Sequence, residues 1–123
     1  VHFPLDPMAL QAARMVMCVP AGRRWAALDL LYRQPTSWAV PGEAKTALRR
    51  LIAQAGVDGA VLDACLADAR DTRGILELQA RAVDALNVQA TPTFRVVGAD
   101  GGRVIRGNVG ATALAEEIRA RLG

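Results

Sequence analysis

Two cysteines and a single histidine are the first candidates for nucleophilic or metal chemistry in this sequence of 123 residues. Cys18 and Cys65 are 47 positions apart, so they form neither a Cys-x-x-Cys pair nor a zinc-ligand spacing. His2 lies at what looks like the end of a strand and is expected to be structural. The sequence therefore predicts no catalytic residue, no metal site and no cofactor within this chain.

The segment at residues 88–97 is the remaining candidate. Thr91 and Pro92 separate a helical pattern from a β-type run at 93–97, and a glycine-rich turn leads into a second run at 103–106. Proline cannot donate to a β-ladder but is tolerated at the start of a strand, and this tight turn favours a cis X-Pro bond. The two runs predict a hairpin. The alternative is an ordinary loop proline that ends the preceding helix.

Composition limits the classes of function. About half of the residues are apolar, which suffices for the core of one domain, and no apolar run approaches the length of a bilayer span. The net charge of +3 is not concentrated in a basic block, and two Trp, one Tyr and two Phe leave little for bases to stack on. We expect neither nucleic-acid binding nor membrane insertion. Because the chain begins with Val1, a leading segment is expected to be removed or not represented.

Helical patterns occupy most of the first 86 residues. Asp6 is a favourable N-cap and Pro7 a favourable first residue for a helix over 7–18, whose wide apolar arc indicates burial rather than a methionine-rich binding face. Residues 1–3 look like a strand end and residues 34–42 like a loop. Further helices are predicted at 23–33, at 43–55, after Asp58, from about residue 71 to 86, and near the C-terminus.

Three stretches in this order resemble the DsbA-like thiol-disulfide oxidoreductases: Phe-Pro-Leu-Asp at 3–6, Ala-Cys-Leu-Ala-Asp at 64–68 and Ala-Thr-Pro-Thr-Phe at 90–94. Leu-Leu-Tyr-Arg-Gln at 30–34, followed by Trp38, is similar to the alphaproteobacterial branch. The resemblance covers essentially the whole chain and implies an α/β, thioredoxin-like fold, N-terminally truncated, with an inserted helical domain. Residues 1–5 would be a remnant of the N-terminal half, 6–70 the helical insertion and 71–123 the C-terminal half.

The resemblance implies thiol-disulfide exchange on protein substrates, with the catalytic Cys-x-x-Cys missing from this chain. In that family the residue before the cis-proline lies beside the active cysteines and pairs with the backbone of an extended substrate. This role would fall to Thr91, with Pro92 holding the turn and Ala90 adjacent. The implied partners are extended peptides or unfolded proteins and a redox partner protein, and the implied location is the periplasm or cell envelope.

Two alternatives stay open. A redox-inactive module of the same fold would bind peptides or act like a chaperone without chemistry. A glutathione-linked transferase or isomerase would need an intact first strand ending in Ser, Tyr or Cys. The encoding sequence upstream of Val1 distinguishes all three.

Cys18 and Cys65 are predicted to form a structural disulfide. Both lie late in short helices whose apolar stripes must pack together, and some alphaproteobacterial members of the family carry a second, non-catalytic disulfide in this domain. The alternative is that both are small buried hydrophobes. A second expectation is an open edge beside the proline loop, with apolar surface uncovered near Phe3, Thr93 and Phe94. Such an edge would allow self-association.

Overall fold

A computed structural model describes residues 1–39, 42–99 and 101–122. Contacts divide the chain into two units, Val1–Gln79 and Ala80–Gly123. No helix in the described residues is long and apolar enough to cross a membrane. The helices are α1 (Pro7–Met17), α2 (Arg24–Arg33), α3 (Pro35–Trp38), α4 (Ala44–Gln54), α5 (Gly59–Ala67), α6 (Arg70–Leu86) and α7 (Ala111–Leu122), with a 3₁₀ turn at Ala21–Arg23 and strands β1 (Thr93–Gly98) and β2 (Gly101–Arg106).

The start of α1 follows from its capping residues. The Asp6 carboxylate accepts hydrogen bonds from the backbone N–H groups of Met8 and Ala9, each at 2.8 Å, and Pro7 occupies the first turn. These bonds satisfy donors that a helix N-terminus otherwise leaves free. The predicted start is confirmed. The helix ends at Met17, one residue before the predicted end, and Cys18 is its C-cap.

The core of the first unit is formed by side chains from α1, α2, α4 and α5, with Val19, Ala55 and Val57 from the segments between them. Met15, Leu48 and Ile52 are completely buried in it. On α2 the buried residues are Ala27 and Leu31, whereas Trp25 and Tyr32 are 82% and 80% exposed. The aromatic side chains of this helix therefore contribute little to the core.

Two local predictions are wrong. Residues 1–3 form no strand, because the part of the chain that the structure describes contains no strand that pairs with them. The predicted loop at 34–42 contains α3, which starts at Pro35, a residue that suits the first helical position. The indole N–H of Trp38 donates to the carbonyl of Leu31 at 2.9 Å and so fixes α3 to the end of α2. Residues 40 and 41 lie outside the described residues.

Helix α6 begins where Asp68 caps it. The Asp68 carboxylate accepts from the backbone N–H of Arg70 at 2.9 Å, and the Arg70 side chain pairs with the same carboxylate. The helix thus begins one residue before the predicted start and ends at Leu86, as predicted. The predicted division of the chain at residues 70 and 71 falls at this helix start, and it stays a prediction.

The second unit contains an antiparallel hairpin and α7. Strand β1 pairs with β2 in a register that places Phe94 opposite Ile105, and Gly101 takes a φ of +104° at the turn. Helix α7 packs against β1. The Glu117 carboxylate of α7 accepts from Arg103 of β2 at 3.0 Å and from Arg121 at 3.1 Å. The predicted hairpin and closing helix are both present.

Candidate functional site

The proline loop lies in the second unit between the end of α6 and the start of β1. Asn87 follows the last residue of α6 with a φ of +49°, a conformation that asparagine tolerates better than most residues. The N–H of Val88 donates to the carbonyl of Ala82 at 3.3 Å, and the Val88 side chain is only 7% exposed. The helix end therefore holds one side of the loop.

Hydrogen bonds from the hairpin side also fix the loop. The Thr93 hydroxyl donates to the carbonyl of Ala90 at 2.7 Å, and the Gly107 N–H donates to the carbonyl of Pro92 at 2.8 Å. The Thr91-Pro92 peptide bond is cis. Residues 89–92 nevertheless all have exposed side chains.

Thr91, the residue before the proline, has an unpaired backbone among the described residues. Neither its N–H nor its C=O makes a hydrogen bond within residues 1–39, 42–99 and 101–122. In the described part of the chain β1 pairs with β2 alone, so its other edge also has no strand partner. A loop residue with a free donor and a free acceptor, close to an open strand edge, can pair with the backbone of an extended peptide.

The residues predicted to be uncovered at the open edge are only partly exposed. Phe3, Thr93 and Phe94 are each half-buried rather than fully uncovered. The large hydrophobic side chain of β1 that is exposed is Val97. Self-association through this edge stays a prediction.

Cys18 and Cys65 form a disulfide in the first unit. Their Cα atoms are 5.8 Å apart, inside the range that a disulfide spans, and the bond joins the C-cap of α1 to α5. The structure thus contains the bridge that the sequence predicts, and neither cysteine is free. Both residues are partly buried rather than fully enclosed.

Asp71 adds a carboxylate to the cysteine pair. Its Oδ2 lies 3.9 Å from Sγ of Cys65, and the ligand atoms of Cys18, Cys65 and Asp71 all lie within 4.8 Å of one another. Sequence spacing did not reveal this group because the two cysteines are remote in the chain. The available signal was Asp71 itself, an acidic residue in the first turn of the helix that follows Cys65.

Arg14 is linked to the segments that carry both cysteines. It precedes Cys18 by one helical turn, and its guanidinium donates to the carbonyl of Leu66, the neighbour of Cys65, at 2.6 Å. It also donates to the Gln11 side chain at 3.3 Å. Its Nε is buried and has no hydrogen-bond partner in the described residues.

His2 belongs to no cluster of potential metal ligands within the described residues. Its pKa lies below the ordinary value, chiefly because burial disfavours the imidazolium. The amino group of Val1 and the guanidinium of Arg24 lower this pKa further. A structural role for His2 therefore stays a prediction.

A family model described as thioredoxin matches residues 1–118 of the chain. Comparison with curated proteins found no match. Comparison with solved structures also found no match.

Proposed function

The chain belongs to the thioredoxin family, and from this premise we propose that it acts in DsbA-like thiol-disulfide exchange by docking extended segments of protein substrates at residues 90–92. The family membership carries with it the α/β thioredoxin-like fold, here with a helical insertion. The disulfide of Cys18 and Cys65 is consistent with a thiol-disulfide setting.

The exposed, unpaired backbone of Thr91 is the observation that carries this proposal. An extended substrate would receive a hydrogen bond from the Thr91 N–H and donate one to its C=O, which adds a strand-like segment to the loop. Pro92 and Ala90 hold this backbone in place, because their carbonyls are already bonded to Gly107 and Thr93. Recognition of this kind depends on backbone groups and so accepts many substrate sequences.

The proposed exchange needs a cysteine pair beyond the two of this chain. Cys18 and Cys65 are joined to each other and 47 residues apart, so they do not form a Cys-x-x-Cys site. In the proposed reaction a substrate thiolate attacks the disulfide of such a pair, and the mixed disulfide resolves as the second substrate thiolate displaces the catalytic cysteine. The substrate gains a disulfide and the catalytic pair is reduced. Residues 90–92 would orient the substrate for this attack.

The 123-residue chain alone should therefore show only background activity in insulin reduction or peptide oxidation. Turnover well above background that disappears on replacing Cys18 or Cys65 would contradict this expectation. Background turnover in the wild type and in both variants would agree with it.

Docking is tested with a labelled peptide of alternating apolar residues, with serine in place of cysteine, followed by fluorescence anisotropy. Wild type and Thr91→Val should bind equally, since valine keeps both backbone groups. Thr91→Pro removes the donor and should weaken binding about tenfold, the loss of roughly one backbone hydrogen bond. The same peptide with methylated backbone nitrogens should also bind weakly. Equal binding by the methylated peptide would exclude docking through backbone pairing.

A redox-inactive, peptide-binding or chaperone-like module is the second candidate. The lack of a Cys-x-x-Cys in the chain favours it, and it uses the same docking loop. The coding sequence upstream of Val1 decides between the two candidates. A Cys-x-x-Cys encoded there supports the oxidoreductase, and a first helix without cysteines supports the module. We propose a periplasmic or envelope location, since structural disulfides persist in oxidising compartments.

A further inference from the structure

Three side chains that the proposed function does not use meet in the first unit. Cys18 caps α1, Cys65 lies on α5, and Asp71 lies in the first turn of α6. Their ligand atoms lie within 4.8 Å of one another, and all three residues are partly buried. Two sulfurs and one carboxylate are the ligand types that zinc sites use.

The bridge controls whether this cluster can bind a metal ion, because sulfur atoms in a disulfide carry no negative charge. A dithiol reductant transfers two electrons to the bridge and closes its own disulfide, and two protons convert the sulfurs of Cys18 and Cys65 to thiols. A divalent cation then displaces both thiol protons and binds the thiolates. We propose that the reduced chain binds Zn²⁺ through Cys18 Sγ, Cys65 Sγ and an Asp71 carboxylate oxygen, with water as the fourth ligand.

The observed spacing suits a tetrahedral zinc site. With Zn–S near 2.3 Å and Zn–O near 2.1 Å, a sulfur and an oxygen ligand are about 3.6 Å apart and two sulfurs about 3.8 Å apart. Cys65 Sγ and Asp71 Oδ2 already lie 3.9 Å apart. The Cα atoms of the two cysteines lie 5.8 Å apart, and rotation of the reduced side chains would separate their sulfurs.

Core packing holds the backbone on both sides of the cluster. Val16 and Val19 flank Cys18, and Leu62 precedes Cys65 on α5, and each of the three is at most 2% exposed. The N–H of Cys18 donates to carbonyls of the last turn of α1. Ligands on such packed elements remain close together after the bond between them is broken.

Arg14 fits the charge of the occupied site. Two thiolates and one carboxylate carry three negative charges, so a bound Zn²⁺ leaves one uncompensated. The Arg14 guanidinium bonds the carbonyl next to Cys65, and its Nε has no partner in the described residues. Its positive charge would offset the remaining negative charge. The thiolates favour zinc over calcium or magnesium, which prefer oxygen ligands.

Zinc binding is tested on the full chain after reduction with dithiothreitol and anaerobic removal of the reductant. Zn²⁺ is titrated in competition with a chromophoric chelator, and Co²⁺ serves as a spectroscopic probe for thiolate ligation. The reduced chain should bind one Zn²⁺ and show a sulfur-to-cobalt charge-transfer band. The oxidised chain should neither bind Zn²⁺ nor show this band. Ca²⁺ should not compete with Zn²⁺ for the reduced chain.

Asp71→Asn is the decisive variant, because it keeps the size of the side chain and removes the charged ligand. It should weaken zinc binding by about tenfold or more. Asp84→Asn is the matched control, since Asp84 is exposed further along the same helix. Zinc affinity should not change in this control. Replacing both cysteines with serine should abolish binding.

Two results would reject the site: no zinc bound by the reduced chain, or equal affinity of wild type and Asp71→Asn. Far-UV circular dichroism reports whether reduction preserves the helices. If the helical signal is lost on reduction, Zn²⁺ is titrated while circular dichroism follows the recovery of that signal. Zinc should then restore the signal of wild type at concentrations that fail with Asp71→Asn, and absence of this difference would equally reject the proposal.

Discussion

The two units of the chain bury their apolar side chains to very different extents. In Val1–Gln79, several large side chains such as Met15 and Leu48 are completely enclosed. In Ala80–Gly123, Val88 is the one buried apolar side chain among the described residues, and Leu122 is 76% exposed. The first unit also contains the disulfide. The helical unit thus has its own core, whereas the unit with the docking loop has few buried contacts.

This difference assigns stability mainly to the first unit and recognition of a partner to the second. Binding loops are commonly found in the less stable parts of a protein, because backbone groups that pair with a ligand cannot also be satisfied within the fold. Thr91 shows this directly, since its backbone N–H and C=O are unpaired in the described residues. The predictions below test whether the two units differ in this way.

Removing the disulfide should have the largest effect. The double variant Cys18→Ala with Cys65→Ala should lower the free energy of unfolding by about 4 kcal/mol, from the loop entropy of a 47-residue separation. Urea denaturation measures the loss. Amide hydrogen exchange should become faster in α1 and α5 while the β1–β2 hairpin keeps its protection. Equal loss of protection in the hairpin would show that the two units unfold together.

The core of the first unit should be the next most sensitive region. Leu48→Ala should cost about 3 kcal/mol, because the residue is fully buried and truncation leaves a cavity. Leu122→Ala makes the same chemical change at an exposed position in the second unit and should cost under about 0.5 kcal/mol. Both values come from urea denaturation. Similar losses in the free energy of unfolding for the two variants would contradict the difference in packing between the two units.

In the second unit, Glu117 forms ion pairs with Arg103 and Arg121. Glu117→Gln removes the carboxylate that joins Arg103 of β2 to Arg121 of α7 and should cost about 0.5–1 kcal/mol, less at high salt. Faster amide exchange in β2 would report this loss. Glu116→Gln changes the neighbouring exposed residue and should have no effect on β2. An equal effect in both variants would indicate general charge repulsion rather than this pairing.

The smallest effect concerns pH and the Arg49–Asp63 pair in the first unit. The pKa of Asp63 lies below its ordinary value of 3.8, chiefly because the Arg49 guanidinium hydrogen-bonds the carboxylate. A lowered pKa in the folded state contributes stability above pH 3.8 that is lost as pH falls through the folded pKa. Asp63→Asn should be slightly less stable than wild type at neutral pH, and the gap should close in acid. Arg49→Gln should show the same pH dependence. A difference in the free energy of unfolding between wild type and variant that stays constant with pH would argue against the pairing.

The sequence predicted those elements whose signals are local. Asp6 and Pro7 determine the start of α1, and the glycines between two β-type runs determine the hairpin, so both were found. It failed where the structure depends on partners distant in sequence. Residues 1–3 have strand-forming side chains, but the described residues contain no strand that pairs with them.

The candidate site shows the same limit. Pro92 could be identified from the chain alone, since proline at a strand start is a local signal. The role of Thr91 was implied only by the resemblance to the DsbA-like family. The lack of a backbone partner for Thr91 could not be identified from the chain, because it depends on how the whole unit folds. Asp71 was missed as a neighbour of the cysteines, because its approach to Cys65 depends on how the chain folds between α5 and α6.

Backbone docking at Thr91 is the central claim, and residue-resolved NMR tests it most directly. Titrating the ¹⁵N-labelled chain with the serine-substituted extended peptide should shift the amide signals of Ala90, Thr91 and Thr93, and leave those of α4 unchanged. The peptide with methylated backbone nitrogens should produce much smaller shifts. Shifts confined to the exposed Trp25 and Tyr32 side of α2, or equal shifts with the methylated peptide, would contradict the account.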